Sequence, residues 1–309
     1  MKKYLYYQYI YIYIYMETIL LKYPNLHKLY NSYPIHKLSK YLHIIDAKEK
    51  LDFVHEMNEL SVKNYEDIFR GKKVAIIGPS PSIYNEENGD YIEEKYDLIV
   101  RINKQWRHDQ DLDKYIGKRT DILYNCMDPS EECGGIMDIT YVKEQNLNLI
   151  IDPIMFGYKM SNTRDRIFRG MQRVNFYVIF HLNNHGRIPF GMINTEKYMI
   201  WDKSANTRIN TGLLAILDVL SSDAKEVYIK GFTFFKDGYI NNYRNTIGGK
   251  KTNEENSSKI VLSYMNKFKI HDQEKQWKFF KKFIQDEHIQ RKIKMDESLT
   301  QIMALSSYS

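Results

Sequence analysis

Short, mostly apolar runs recur along the 309 residues, bounded by charged, glycine or asparagine positions. Residues 74–77 follow Lys72-Lys73 and close on Gly78-Pro79-Ser80-Pro81-Ser82, and the run YDLIVRIN ends at Asn103. Similar runs lie at 121–124, 147–151, 175–180 and 226–229. They are short and do not alternate with polar residues, so they predict strands covered on both faces. Helical periodicity fills the gaps, most clearly over Thr211–Ser221, where Leu213, Leu214, Ile216, Leu217 and Leu220 share one face. Strands alternating with helices predict an α/β fold, a Rossmann-like and mostly parallel sheet flanked by helices. In such sheets ligands bind beyond the carboxyl ends of the strands, where Gly78, Asn103 and Gly231 fall.

The pattern also divides the chain. Residues 22–70 carry Pro24, Pro34 and a helical pattern over about 44–69, which predicts a helical preface. Residues 71–291 form the main domain, with 248–259 expected as a mobile loop. Residues 292–309 show little apolar periodicity and are expected to fray. Residues 1–21 open with a YIYIYIY run at 9–15, a low-complexity extension that makes Met16 an alternative start. The competing reading is a membrane anchor over 4–21, behind Lys2 and Lys3. Alternation and the polar Gln8 and Glu17 weigh against a spanning helix.

Composition changes little. The net charge is +6, but Lys and Arg are interspersed with Asp and Glu, so a solvated surface explains it and no nucleic-acid partner is implied. Cys126 and Cys133 form no CxxC pair and have no supporting histidines. Neither zinc nor a disulfide framework is expected, which points to the cytoplasm or another reducing compartment.

Three segments carry candidate chemistry. Gly78 to Ser82 allows close backbone approach and offers hydroxyls to phosphate or ribose, although it lacks the GxGxxG fingerprint. Asn103 can bond a nucleotide in both senses. Arg208-Ile209-Asn210-Thr211-Gly212 opens the apolar helix, whose first amides suit an anion. Each has a plain structural alternative as a turn or cap. Asp109-Gln110-Asp111 and Asp111-Leu112-Asp113 match the Asp-x-Asp pattern that holds a metal in many glycosyltransferases, but a solvated loop is the expected reading, with no metal.

Order and spacing narrow these alternatives. KKVAIIGPSPS…YDLIVRINK…DKYIGKRTDILY resembles the large motif of the sialyltransferases, glycosyltransferase family 29, through Gly78, Ser80, Asp97, Arg101, Asn103, Gly117 and Thr120. NTGLLAILDVLSSDAKEVYIKGF resembles the small motif through Thr211, Gly212, Glu226, Val227, Gly231 and Phe232. The resemblance implies a GT-A-like sialyltransferase variant of the α/β fold. It also implies transfer of sialic acid or a related sugar from a CMP-sugar co-substrate to a glycan hydroxyl, with inversion and without a metal. By that resemblance Gly78, Ser80, Asn103, Asn210, Thr211 and Gly212 hold the donor nucleotide, and His271 is the general base. Asn242 and Tyr243 stand where the family has His-Tyr. Gln276 stands where it has Glu five positions after the base, with Glu274 nearby as a supporting candidate. Pro79 replaces a nucleotide-contacting Asn, and Val74 and Ala224 occupy the positions of the disulfide found in animal members. The alternatives are a transferase for another nucleotide sugar, or an inactive nucleotide- or glycan-binding module.

Overall fold

The computed structural model describes residues 18–107, 109–130, 135–153, 163–244, 246–247, 250–268 and 271–308. The strands are β1 (Lys73–Ile77), β2 (Leu98–Ile102), β3 (Ile122–Tyr124), β4 (Leu149–Asp152), β5 (Phe190–Met192), β6 (Glu226–Lys230), β7 (Thr246–Ile247), β8 (Lys250–Lys251) and β9 (Ile293–Met295). Seven form one sheet in the order β5-β4-β3-β2-β1-β6-β9, and every pairing in it is parallel. The apolar run of β1 lies inside the sheet, with Val74 opposite both Leu98 of β2 and Val227 of β6. Strand order reverses between β1 and β6, which places the topological switch point at the ends of these two strands.

The strand period sorts the core. Val74 and Ile76 face a cluster built on the helices Thr195–Ala205, Thr211–Ser221 and Gln273–Phe283, whereas Ala75 and Ile77 face a second layer with Ile83, Ile92 and Ile99. Val74 through Ile77 are fully buried, each side chain larger than Ala contributing about 1.5–3 kcal/mol. Val74 and Ala224 both lie in the first cluster, packed among apolar side chains.

The preface is helical, but the expected continuous pattern over 44–69 is broken. Asp46 caps a helix over Ala47–Glu59, and a 3₁₀ turn over Tyr65–Phe69 follows. The preface packs on the long helix Thr163–Asn184. That helix contains residues 175–180, expected above as a strand. Val174, Tyr177, Val178 and Leu182 are buried in it at helical spacing, and a helix covered on two sides reads as a continuous apolar run.

Three further expectations are corrected. Residues 292–309 do not fray: β9 extends the sheet beside β6, and the helix Glu297–Ala304 buries Leu299. The polar stretch 248–259 contains β8 and the start of the helix Glu254–Phe268, with 248–249 outside the described residues. The extension does not reach Leu21 as a separate unit, because Ile19 and Leu20 are fully buried in the preface cluster. Residues 1–17, with the YIYIYIY run and most of the alternative anchor, lie outside the described residues, as does Cys133. Among the described residues no helix is long and apolar enough to cross a membrane.

Candidate active site

The two motifs meet at the switch point through glycine. A Cβ on Gly78 would lie 2.3 Å from the Gly231 carbonyl oxygen, and one on Gly231, whose φ is +78°, would lie 2.5 Å from the Gly78 carbonyl oxygen. The ends of β1 and β6 therefore touch backbone to backbone, which only glycine permits. Phe232 seals the contact, since its ring would clash with a Cβ on either Gly78 or Gly212. Gly78, Gly212, Gly231 and Phe232 are thus one packed unit.

Backbone bonds consume most of the first loop. Gly78 donates to the Lys230 carbonyl and Ser80 to the Gly231 carbonyl, while Pro79 has no N–H. The buried Ser80 hydroxyl accepts from Ser82 N at 3.2 Å and from Thr233 Oγ1 at 3.1 Å. Burial raises the Asp237 carboxyl's pKa, and the Ser80 hydroxyl bonded to it works against that rise. Ser80 therefore shapes the turn. Pro79 contributes its carbonyl, which accepts from Ile240 N.

Arg101 is also structural. It is fully buried and donates to the carbonyls of Ile116, Gly117 and Arg119 and to Thr120 Oγ1. Burial lowers its pKa to about 10, which leaves it charged at neutral pH. Asn103 follows at the mouth of β2 with φ +46°. Its Oδ1 accepts from Cys126 N at 2.9 Å, and its Nδ2 has no partner among the described residues.

The second half of the site is laced together by a short segment. Asn210 caps the helix Thr211–Ser221, accepting from Leu213 N, and leaves the Thr211 and Gly212 amides in the open first turn. Residues 271–276 bind the approach to that helix at four points. His271 Nδ1 lies 2.9 Å from the Arg208 carbonyl, Asp272 N donates to Thr207 Oγ1, Lys275 Nζ to the Asn206 carbonyl, and Asn210 N to Gln276 Oε1 at 3.0 Å. Gln276 is fully buried, so a neutral amide here accepts the Asn210 proton without placing a charge in the core. Its Nε2 has no partner among the described residues. Glu274 is not part of this clasp. It is exposed and pairs with Lys278 one turn along.

His271 is half-buried in a left-handed backbone conformation, φ +54°. A carbonyl can only accept, so Nδ1 carries the proton and Nε2 presents a lone pair, with no partner among the described residues. Burial pushes its pKa down to about 3, helped by the positive charges of Arg208 and Arg244. Arg208 is half-buried, and its guanidinium has no acceptor among the described residues. The imidazole is therefore neutral at physiological pH, and an anion bound beside it would offset the two positive charges and strengthen it as a base.

Asn242 and Tyr243 sit on the turn leading to Arg244. Tyr243 is buried, and its hydroxyl lies 3.4 Å from the Ile102 carbonyl. Asn242 is exposed, and its carbonyl accepts from Lys104 Nζ. On its outer side Asn241 and Asn242 line an open groove of about 820 Å³ with Tyr84, Asp109, Asp111 and Asp113. The Asp-x-Asp run therefore lies on this groove, and no group of three His, Cys, Asp or Glu side chains among the described residues could hold a metal.

Sequence reasoning missed three contributors. Asp296, in the expected tail, accepts from Gly231 N at 2.8 Å and caps the last helix. Arg244 reaches the base electrostatically, and nothing in its local sequence signals this. Asp152 closes β4 and bonds Arg173 at 2.6 Å, joining the long helix to the Cys126 loop beside Asn103. Only Asp152 had a readable cue, as a charge ending an apolar run.

No family model and no curated protein matches the chain. Among solved structures it is similar to a mammalian sialyltransferase, with 13% identity over 81% of this chain and 78% of that one and a TM-score of 0.46. It is similar to the sialyltransferase CstII from Campylobacter jejuni in complex with cytidine-5'-monophosphate, at 16% identity over 77% and 86% and a TM-score of 0.44. It is also similar to the monofunctional alpha-2,3-sialyltransferase Cst-I from the same organism, at 17% identity over 81% and 84% and a TM-score of 0.43. At such identities, what this chain does has to be read from its own residues.

Proposed function

We propose that the protein is a glycosyltransferase that moves sialic acid or a related acidic sugar from a CMP-sugar donor to a glycan hydroxyl, inverting and without a metal or further cofactor. The observation that carries this is the clasp of residues 271–276 on the entrance of the Thr211–Ser221 helix. It joins the candidate base to the small-motif residues through bonds from His271, Asp272, Lys275 and Gln276. Nε2 of His271 takes the proton of the acceptor hydroxyl as its oxygen bonds to the anomeric carbon. The bond from that carbon to the phosphate oxygen breaks, and CMP leaves with the electron pair. The imidazolium then returns its proton to solvent. One base suffices for direct displacement. The open amides of Thr211 and Gly212 meet the donor phosphate, with Asn103 Nδ2 on the nucleotide. The Gly78–Gly231 contact makes the floor beneath them.

Incubation with CMP-sialic acid and galactoside acceptors should release CMP, and His271→Ala should lower kcat by about 100-fold or more. Turnover unchanged in that variant would remove His271 as the base. Release of UDP from UDP-sugars, dependent on a divalent ion, would replace the donor class. CMP binding with no turnover on any acceptor would leave a binding module.

A further inference from the structure

We propose that the groove on the outer side of Asn242 is a glycan subsite, which holds neutral sugars of the acceptor chain beyond the reacting one and turns away chains carrying sulfate or carboxylate. This deepens the transferase reading above and rests on it. The groove has room for about 820 Å³ of ligand. Tyr84 and Tyr115 line it, half-buried and packed edge to face with ring centroids 5.2 Å apart. Around them stand the carboxylates of Asp109, Asp111 and Asp113 and the amides of Asn241 and Asn242. That mixture suits a sugar: its C–H face packs on a ring, its hydroxyls donate to carboxylates, and amides bond it in both senses.

Charge decides which glycan fits. Asp90 adds a fourth carboxylate to the lining, against two lysines, Lys114 and Lys118. Lys114 is already paired with Glu87 at 2.6 Å and lies over the Tyr115 ring. The groove is therefore negative, whereas the surroundings of His271 are positive through Arg208 and Arg244. An anionic donor is drawn to the second place and repelled from the first. A sulfated or carboxylated chain in the groove meets the same repulsion.

The groove is built into the fold and borders the crevice. Lys230, buried at the end of β6, donates through Nζ to the carbonyls of Glu86 and Tyr115 and to Asn88 Oδ1. It thereby ties the segment after the Pro81–Asn85 turn to the helix Asp113–Ile116, the two parts that carry the tyrosines. A Cβ on Gly89 would lie 2.0 Å from the Asp113 carbonyl oxygen, so these parts also touch backbone to backbone. Lys230 directly precedes Gly231, so groove and crevice floor hang from one strand end. On the opposite wall Lys104 Nζ holds the Asn242 carbonyl, and Arg244, two residues on, acts on His271. Two residues span about 7 Å of backbone at most, so a chain leading away from the reacting hydroxyl enters the groove across this turn.

The test is saturation-transfer NMR titration of the full chain with three probes: galactose, a neutral tetrasaccharide ending in galactose, and that tetrasaccharide sulfated on an inner sugar. The wild type should bind the neutral tetrasaccharide about tenfold or more tightly than either of the others. Asp111→Lys and Tyr84→Ala should each weaken the tetrasaccharide about fivefold or more. Asp111→Lys should also narrow the gap between the neutral and sulfated chains. An unchanged thermal midpoint in both variants shows that they are folded. Tetrasaccharide binding unchanged in both variants overturns the proposal, as does a sulfated chain bound as tightly as the neutral one. CMP release from CMP-sialic acid, measured with the same probes, separates the two readings. Release with the tetrasaccharide no faster than with galactose at limiting acceptor sinks this inference alone. Tetrasaccharide binding that the variants weaken, without CMP release on any probe, keeps the groove as a glycan site and sinks the transferase reading.

Discussion

The tripeptide Arg-Ile-Asn occurs twice, at 101–103 and 208–210, and the two copies meet opposite fates. In the first, the arginine lies next to the end of a central strand, is fully buried, and ties together the loop carbonyls of Ile116, Gly117 and Arg119. In the second, the arginine precedes a helix, remains half-buried, and has no acceptor among the described residues. The isoleucine is buried in both copies. The asparagines differ as well: Asn103 accepts from Cys126 N across strands, and Asn210 caps its own helix. An arginine beside a strand end is enclosed by the next crossover loop, whereas one on a helix approach borders the ligand crevice. The same three residues thus serve architecture in one place and leave a charge for chemistry in the other.

The comparison is broken most severely at Arg101. Arg101→Met should destabilise the fold by about 3–5 kcal/mol, because buried carbonyls lose their donors, whereas Arg208→Met should stay within about 0.5 kcal/mol. Urea unfolding of the two variants measures both, and similar losses would erase the distinction. Gln276→Leu tests what holds the second copy in place. It orphans Asn210 N but also removes an unpartnered buried Nε2, so the expected cost is about 1 kcal/mol, with donor binding weakened more than stability.

The smallest effect is on pH. His271 and His181 are both pushed down to about 3 by burial, below the ordinary histidine value. The unfolded chain therefore takes up protons first, so stability is level above about pH 6.5 and falls between there and about pH 3. His271→Asn should flatten part of that slope. In kinetics, kcat/KM, which reports the donor-free enzyme, should show no histidine limb near pH 6. A bound acidic donor offsets Arg208 and Arg244, so the acid limb of kcat should lie at higher pH than that of kcat/KM. Coincident limbs would separate the two cations from the base.

Much of the architecture was legible because central parallel strands are covered on both faces: β1 and β2 are apolar throughout except for Arg101 and the edge position Lys73. The outer strands were not legible. β5 is three residues long, and β9 reads Ile-Lys-Met, with one polar residue exposed at the sheet's edge. The 175–180 run was misread because apolar positions continuous in sequence suit a helix buried on two sides as well as a strand. At the site, the glycines and His271 were visible from order alone. The choice between Glu274 and Gln276 was not, since it depends on helix phase. Two positions apart on a helix is about 200° of rotation, which turns Glu274 to solvent and Gln276 inward.

The Asp296 bond to Gly231 also sets the order in which the protein can be completed during translation. The two partners are 65 residues apart. At about 5–20 residues per second, the glycine contact waits roughly 3 to 13 seconds for its anchor to be synthesised. Lys236 and Phe234 wait longer still, since both bond Tyr308. The floor of the crevice therefore leaves the ribosome before the residues that anchor it, and stays without those bonds for that interval.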